Sequence, residues 1–449
     1  MAFGKHACEY ARRMTDPCMR ADMIDSAEYE RKNVQRGLRD INGNGVPAGL
    51  TNISYIRASK TAPDGTRVPD EGRLYYRGYD INGLVRKYGE DRFGYEKTAY
   101  LLMFGEIPDE TQAGEFLECL NDLRHLPKNF ARDVIMKAPD RDIMNSMTRS
   151  ILTLASYDRN AHDTGIPNVI RQCMMLISVF PMLAVYAYQA YNHYMNSKSM
   201  YIHRPDSTLS TAENTLRMLR PDMSFTPLEA QVLNTAFILH MEHGGGNNST
   251  FTTRVVTSAG SDTYSSMAAS MCSLKGSRHG GANLKVVDMM RNIAKNVKDP
   301  GNTDALRAYL SSILDGEAFD GQGLIYGMGH AIYSVSDPRE VVFREFVKRL
   351  AAEKGKEKQM SLYEAVEKTA PEVIASKRRM YKGVSANVDF YSGFVYEMLG
   401  IPKELFTPIF SMARVAGWSA HRLEELVSGG KIIRPAYPGV MEKPRILPE

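Results

Sequence analysis

Four short segments of this 449-residue chain are denser in His, Gly, Asn, Asp and Arg than helix packing requires. They are His240-Met-Glu-His243-Gly-Gly-Gly-Asn247-Asn-Ser249, Lys275-Gly-Ser-Arg-His279-Gly-Gly-Ala-Asn283, Gly327-Met-Gly-His330 followed by Asp337-Pro-Arg339, and Asn387-Val-Asp389-Phe-Tyr-Ser-Gly393. His279 stands where one helix ends and another begins, and the positive end of a helix dipole disfavours the imidazolium. A neutral imidazole there can donate an N–H to a developing enolate. The same position also suits a histidine that simply caps a tight turn. Asp389 lies between Val388 and Phe390-Tyr391, so an apolar setting would raise its pKa and suit it to general-base work. It is equally placed to be the N-cap of the helix carrying Phe394, Val395 and Met398. Arg339 falls in the first turn of a helix, where the dipole repels a cation, so either Glu340 or a bound carboxylate must compensate it. Phe410 and Arg414 share a helix face at i, i+4. His240 and His243 at i, i+3 lack a third ligand nearby, and no metal site is expected.

The elements that must hold these residues are mostly helices. Thr226-Pro-Leu-Glu229 combines an N-cap, a proline at the first helical position and a capping-box glutamate. Asp337-Pro338 opens a second helix and Thr407-Pro408 a third, which should stop at Gly429-Gly430. Alternation of period two is confined to Tyr55–Lys60 and Arg73–Arg77, which predicts one small hairpin. Residues 1–50 read as an extra helical arm. The chain is therefore expected to be all-α with a small N-terminal β-hairpin.

Composition removes other classes. Charged residues are 24% of the chain and the net charge is +4, without a basic stripe that would mark a nucleic-acid binder. Five cysteines, scattered and never in a CxxC pair, predict neither a disulfide framework nor a zinc knuckle, and point to a reducing compartment. The longest apolar run, Cys173 to Tyr188, is interrupted by Pro181 and is shorter than the ~20 residues of a membrane span, so a core helix is expected. An N-terminus without an apolar core, bearing Glu9, Asp16 and Asp22, predicts a cytoplasmic protein.

Taken together, the segments resemble the citrate synthase family. The Asn387–Gly393 stretch is similar to that family's signature around its catalytic aspartate. Leu274-Lys-Gly with His279-Gly-Gly-Ala-Asn283 resembles the loop of its first catalytic histidine, and Gly327–His330 with Asp337-Pro-Arg339 its second histidine and a carboxylate-binding arginine. Arg73–Ile81 resembles the family's hairpin, and Phe410–Trp418 with Arg434-Pro435 its C-terminal part. The likeness runs in collinear order over roughly residues 50–440.

The resemblance implies a homodimer of two-domain subunits, with a large domain over 51–280 plus 400–449 and a small one over 281–399. It implies acyl-CoA and oxaloacetate as substrates and no cofactor. Asp389 would take a proton from the acyl group, His279 would hold the enol oxygen, and His330 would polarise the ketone. His243, Asn247, Arg339, Phe410 and Arg414 would bind oxaloacetate, joined by Arg434 from the partner subunit. Leu324, Ile325, Tyr326, Gly327, Met328 and Gly329 would cradle CoA, with Lys382 near its phosphates. This chain departs from the family at Gly244, Arg278, Ser334 and Ser385-Ala386, which leaves the acyl-CoA preference open. A 2-methylcitrate synthase using propionyl-CoA is the first alternative, because one methylene is worth only ~1–3 kcal/mol of discrimination. A serine hydrolase is the second, on His243-Gly-Gly-Gly246 and Gly417-Trp-Ser419-Ala-His421.

Overall fold

The computed structural model describes residues 4–440 apart from 41–44, 278, 300, 331 and 379–382. Lys382 and Arg278 therefore lie outside the described residues. Gly49–Ile433 form one compact unit, and Met1–Ala48 with Arg434–Glu449 form another. The second unit holds α1 (Lys5–Asp22) and α2 (Ser26–Arg31). Asp25 caps α2 by accepting the Ala27 N–H.

The compact unit begins with the hairpin. β1 (Ser54–Thr61) and β2 (Arg67–Tyr76) pair antiparallel, with Ser54 opposite Tyr76 and Arg57 opposite Arg73. β3 (Tyr79–Asp80) adds two residues after a turn in which Arg77 and Gly78 both take positive φ. Among the described residues every regular element after it is a helix. The first series is α3 (Ile81–Tyr88), α4 (Gly94–Phe104), α5 (Glu110–Leu123), α6 (Ile143–Leu154) and α7 (Ile166–Asn196). Then follow α8 (Thr211–Leu219), α9 (Pro227–His240), α10 (Asn248–Ser258), α11 (Thr263–Leu274), α12 (Ala282–Asn296) and α13 (Thr303–Leu314). The last are α14 (Pro338–Glu353), α15 (Glu357–Lys377), α16 (Val388–Met398) and α17 (Phe406–Val427).

Local sequence explains several boundaries. Thr226 and Glu229 form the expected reciprocal capping box at the start of α9. Asp337 caps α14 through the Arg339 N–H. Two starts differ from expectation. α17 begins at Phe406, one residue before the Thr407-Pro408 pair, because Thr407 Oγ1 donates to the Gly280 carbonyl rather than capping its own helix. α16 is capped by Asn387, whose side chain accepts the Asp389 N–H, so the cap does not engage the Asp389 carboxylate. The apolar run from Cys173 is the middle of α7, which continues through Pro181 to 31 residues. Among the described residues α7 is one helix long and apolar enough to cross a membrane, but 78% of its most apolar window is buried in the protein.

The core forms where α17 crosses α7, α10, α9 and α4. Trp418, at the centre of α17, is fully buried, and truncating such a side chain typically costs ~3–5 kcal/mol. Gly417 makes the crossing possible: a Cβ there would stand 2.2 Å from the Met241 carbonyl oxygen at the end of α9. That contact brings α17 against the first of the four candidate segments, the one that carries His240 and His243.

Candidate active site

The end of α9 supplies His240 and His243, and the loop before α14 supplies His330. The His243 and His330 rings lie 5.1 Å apart, nearly perpendicular, and Tyr333 packs against both. His243 Nε2 meets the Tyr333 hydroxyl at 3.2 Å. His330 Nδ1 accepts the backbone N–H groups of Ile332 (3.0 Å) and Tyr333 (3.3 Å). An imidazole nitrogen that accepts cannot carry the proton, so the neutral ring holds it on Nε2, as a donor. Burial, with Arg339 nearby, drives the pKa of His243 well below its ordinary value.

His279 sits between the end of α11 and the start of α12, as expected. Burial, with Arg414 adding, lowers its pKa to about 4, so the ring is neutral at physiological pH. Its Nε2 lies 3.1 Å from Ser249 Oγ at the start of α10. That oxygen also accepts the Trp418 indole N–H and lies 2.9 Å from Asn247 Oδ1. Ser249 has one proton for two takers, Asn247 and His279. When His279 receives it, the ring's own proton must be on Nδ1, ready to donate.

Asp389 stands in the first turn of α16 and is partly buried. Burial raises its carboxyl to about 6, with Arg339 and Arg414 opposing the shift and Asp337 adding to it. Its setting is the apolar one expected, with Phe390 fully buried beside it. A carboxylate raised this far is a matched base for a weakly acidic carbon while remaining ionised above pH 6.

Two buried arginines face the same region. Arg339 makes a two-point pair with Asp337, Nε to Oδ1 at 3.0 Å and Nη2 to Oδ2 at 2.7 Å. Asp337, not Glu340, therefore answers the cation in this first turn. The reason is geometric: the N-cap carboxylate already points at the helix start, whereas Glu340 lies toward Arg344 at 3.8 Å. Arg414 donates Nε to the His240 carbonyl at 2.6 Å, stacks over Phe410 at 4.6 Å, and leaves Nη1 buried without a partner among the described residues. An unpaired guanidinium N–H in the interior is costly, and a substrate carboxylate would satisfy it.

The Gly327–Gly329 stretch is tied to the lead into α16. Gly329 N donates to the Ser385 carbonyl, Asn387 N to the Gly327 carbonyl, and Asn387 Nδ2 to the Gly329 carbonyl. Gly327 takes positive φ, and a Cβ on it would press on Val286 and Phe390 at under 3 Å. Leu324 is exposed, Tyr326 and Met328 are partly buried, and Ile325 belongs to the core. Arg434 is an exposed residue of the second unit.

Sequence reasoning missed Tyr333, Ser249, Trp418 and Asp337 as parts of the site. It also missed Glu242, a buried carboxylate that receives His421 Nε2 at 2.9 Å and the Ser54 hydroxyl at 2.8 Å. Burial would push that carboxyl up, but His421, Arg414 and Ser54 hold it down to about 2. This pairing dismantles the hydrolase alternative: Ser419 is buried mid-helix, donating to the Val415 carbonyl, and His421 serves Glu242. No group of three or more metal-ligating side chains occurs among the described residues.

An all-α frame that gathers one raised carboxylate, neutral histidines and buried arginines defines an enzyme for adding an enolised carbon to a carbonyl of an anionic substrate. The model of the citrate synthase C-terminal domain matches residues 41–436. Citrate synthase of Synechocystis sp. is 33% identical over 398 residues, covering 87% of this chain and 88% of that protein. 2-Methylcitrate synthase 2 of Corynebacterium glutamicum is 31% identical, covering 87% and 92%. The crystal structure of citrate synthase from Pyrobaculum aerophilum superposes with a TM-score of 0.72 at 26% identity, covering 90% of this chain and 93% of that one. The chain belongs to the citrate synthase family and is a condensing enzyme of that family.

Proposed function

We propose that the chain condenses acetyl-CoA with oxaloacetate and water to give citrate and free CoA. The observation that carries this is the Asp389 carboxyl, raised to about 6 while within electrostatic reach of Arg339 and Arg414. Asp389 removes a proton from the methyl carbon of the thioester. His279, with Ser249 donating to its Nε2, gives a hydrogen bond from Nδ1 to the thioester oxygen as the enol forms. The enol carbon attacks the ketone of oxaloacetate, whose oxygen takes a hydrogen bond and then a proton from His330 Nε2. Arg339 and Arg414 hold the carboxylates in two-point contacts that a lysine could not reproduce. Water then cleaves the thioester.

His243, Asn247 and Phe410 complete the oxaloacetate site in this reading, and Leu324–Gly329 with Lys382 receive CoA. The 281–399 segment acts as a small domain that closes over the substrates of a cytoplasmic homodimer, with Arg434 reaching the partner's site. Mixing inactive Asp389→Asn and Arg434→Ala subunits tests that reach. If the arginine acts across the interface, random exchange restores about a quarter of wild-type activity; if it acts within its own chain, nothing returns.

The 2-methylcitrate synthase relative supports propionyl-CoA as a second acyl donor. Incubation with oxaloacetate and either thioester, following free thiol, decides both points. Release with acetyl-CoA at a higher kcat/KM than with propionyl-CoA is expected; the reverse ranking establishes the methylcitrate reaction, and no thiol release with either ends the proposal.

A further inference from the structure

Helix α17 backs the segment that carries His243 at three successive points. Arg414, Gly417 and His421 stand at i, i+3 and i+7, on one face of the helix. Arg414 Nε donates to the His240 carbonyl, Gly417 lies against the Met241 carbonyl, and His421 Nε2 meets the Glu242 carboxylate at 2.9 Å. His421 is fully buried, and no step of the condensation uses it.

The His421 ring is fixed from both sides. Its Nδ1 accepts from Arg254, Nε at 3.1 Å and Nη2 at 2.7 Å, so the ring proton sits on Nε2 and goes to Glu242. Arg254 is held in turn by Glu424 and Glu425. The receiving oxygen, Glu242 Oε1, also accepts the Ser54 hydroxyl at 2.8 Å and the N–H of Gly244, two residues on. Helix α9 ends at His240, so the turn through 242–244 lies beyond it. Its shape rests on this carboxylate, on the positive φ of Gly244, and on the Tyr76 hydroxyl, 3.2 Å from the Glu242 nitrogen and 3.0 Å from its carbonyl oxygen. His243 is the residue in the middle of that turn.

We propose that His421 is a positioning residue for oxaloacetate, acting through Glu242 to set the turn that presents the His243 ring. It rests on His243 as an oxaloacetate ligand. Without the imidazole donor, the buried carboxylate that closes the turn loses one of its three donors and no longer holds Gly244 in place. The His243 ring then loses its register with His330, 5.1 Å away, and with the Tyr333 hydroxyl, at 3.2 Å.

The test is a double-mutant cycle read by calorimetric titration of oxaloacetate into the full chain. Asparagine at 421 can still accept from Arg254 but is too short to reach Glu242, whereas glutamine restores a donor at the ε position. His421→Asn should therefore weaken oxaloacetate by about tenfold, and His421→Gln by no more than about threefold. His243→Ala should weaken it by about tenfold or more, and adding His421→Asn should then cost no more than about twofold further. Ser54→Ala removes another donor from the same oxygen without touching α17. It should cost about threefold, again only while His243 is present, and it decides the matter if His421→Asn does not fold. Wild-type affinity in His421→Asn, equal losses in the asparagine and glutamine variants, or losses that multiply with His243→Ala each overturn the proposal. Wild-type affinity in His243→Ala instead removes the underlying ligand, and the proposal falls with it.

Discussion

Replacing Asp389 by asparagine should make the protein more stable and nearly inactive. The carboxyl is held at about 6 in the folded protein, against an ordinary value of 3.8. For an acid raised in this way the fold carries no penalty below pH 3.8, where both states are protonated. The penalty accrues between those two values and is complete above pH 6. A difference of about two units corresponds to about 3 kcal/mol at 1.36 kcal/mol per unit. Partial solvent exposure, and an amide that finds no partner in the apolar setting, reduce the expected gain to about 1–3 kcal/mol. Denaturant unfolding at matched protein concentration, at pH 8 and at pH 4, measures it. The variant should be the more stable protein at pH 8, and the advantage should vanish near pH 4. A variant no more stable at pH 8, or equally advantaged at both pH values, would refute the argument that burial strains this carboxylate. Turnover at pH 8 should fall by about 10²–10⁴, with oxaloacetate binding retained.

The same value predicts that wild-type kcat/KM rises with pH through about 6 as Asp389 ionises, and that the rise is absent in Asp389→Asn; His279, titrating near 4, adds no limb above pH 5. Arg339→Ala or Arg414→Ala should weaken oxaloacetate binding by about thirtyfold or more, from a ~2–5 kcal/mol penalty for an unpaired carboxylate; unchanged calorimetric affinity in both variants would remove these arginines from the site. His279→Ala and His330→Ala should each lower kcat by about 10²–10⁴, and the double variant should lose less than the product, because both act on one transition state. Ser249→Ala should lower kcat by up to about tenfold through loss of one hydrogen bond, with oxaloacetate affinity kept; a change in affinity alone would place the serine elsewhere in the mechanism.

What the chain disclosed in advance was local. The capping box at Thr226 and Glu229, the hairpin around Arg73, and the placing of His279 between two helices all follow from neighbours within a few residues. The partners of those residues did not. Asp337 and Glu340 are near-equal candidates for Arg339 along the chain, and only the turn of the backbone at the N-cap aims one carboxylate at the guanidinium. Ser249 and Trp418 are far apart in sequence, and their meeting beside His279 depends on how α10 crosses α17. His421 reads as part of a nucleophile motif along the chain, and only the fold supplies its buried partner, Glu242, from the segment just after α9. In each case the chemistry-bearing residue was visible and its tuning was not, because tuning is set by helix crossings.

The absent side chain at Gly417 bears on how this enzyme could change. It lies one turn beyond Arg414, and Arg414 holds the His240 carbonyl one residue before the Met241 carbonyl that Gly417 approaches. Any larger residue at 417 must push α17 outward, and the displacement would carry the arginine, Phe410 and the Trp418 contact to Ser249 with it. A search for variants that accept bulkier acyl groups by loosening this crossing would therefore pay in oxaloacetate affinity at the same step.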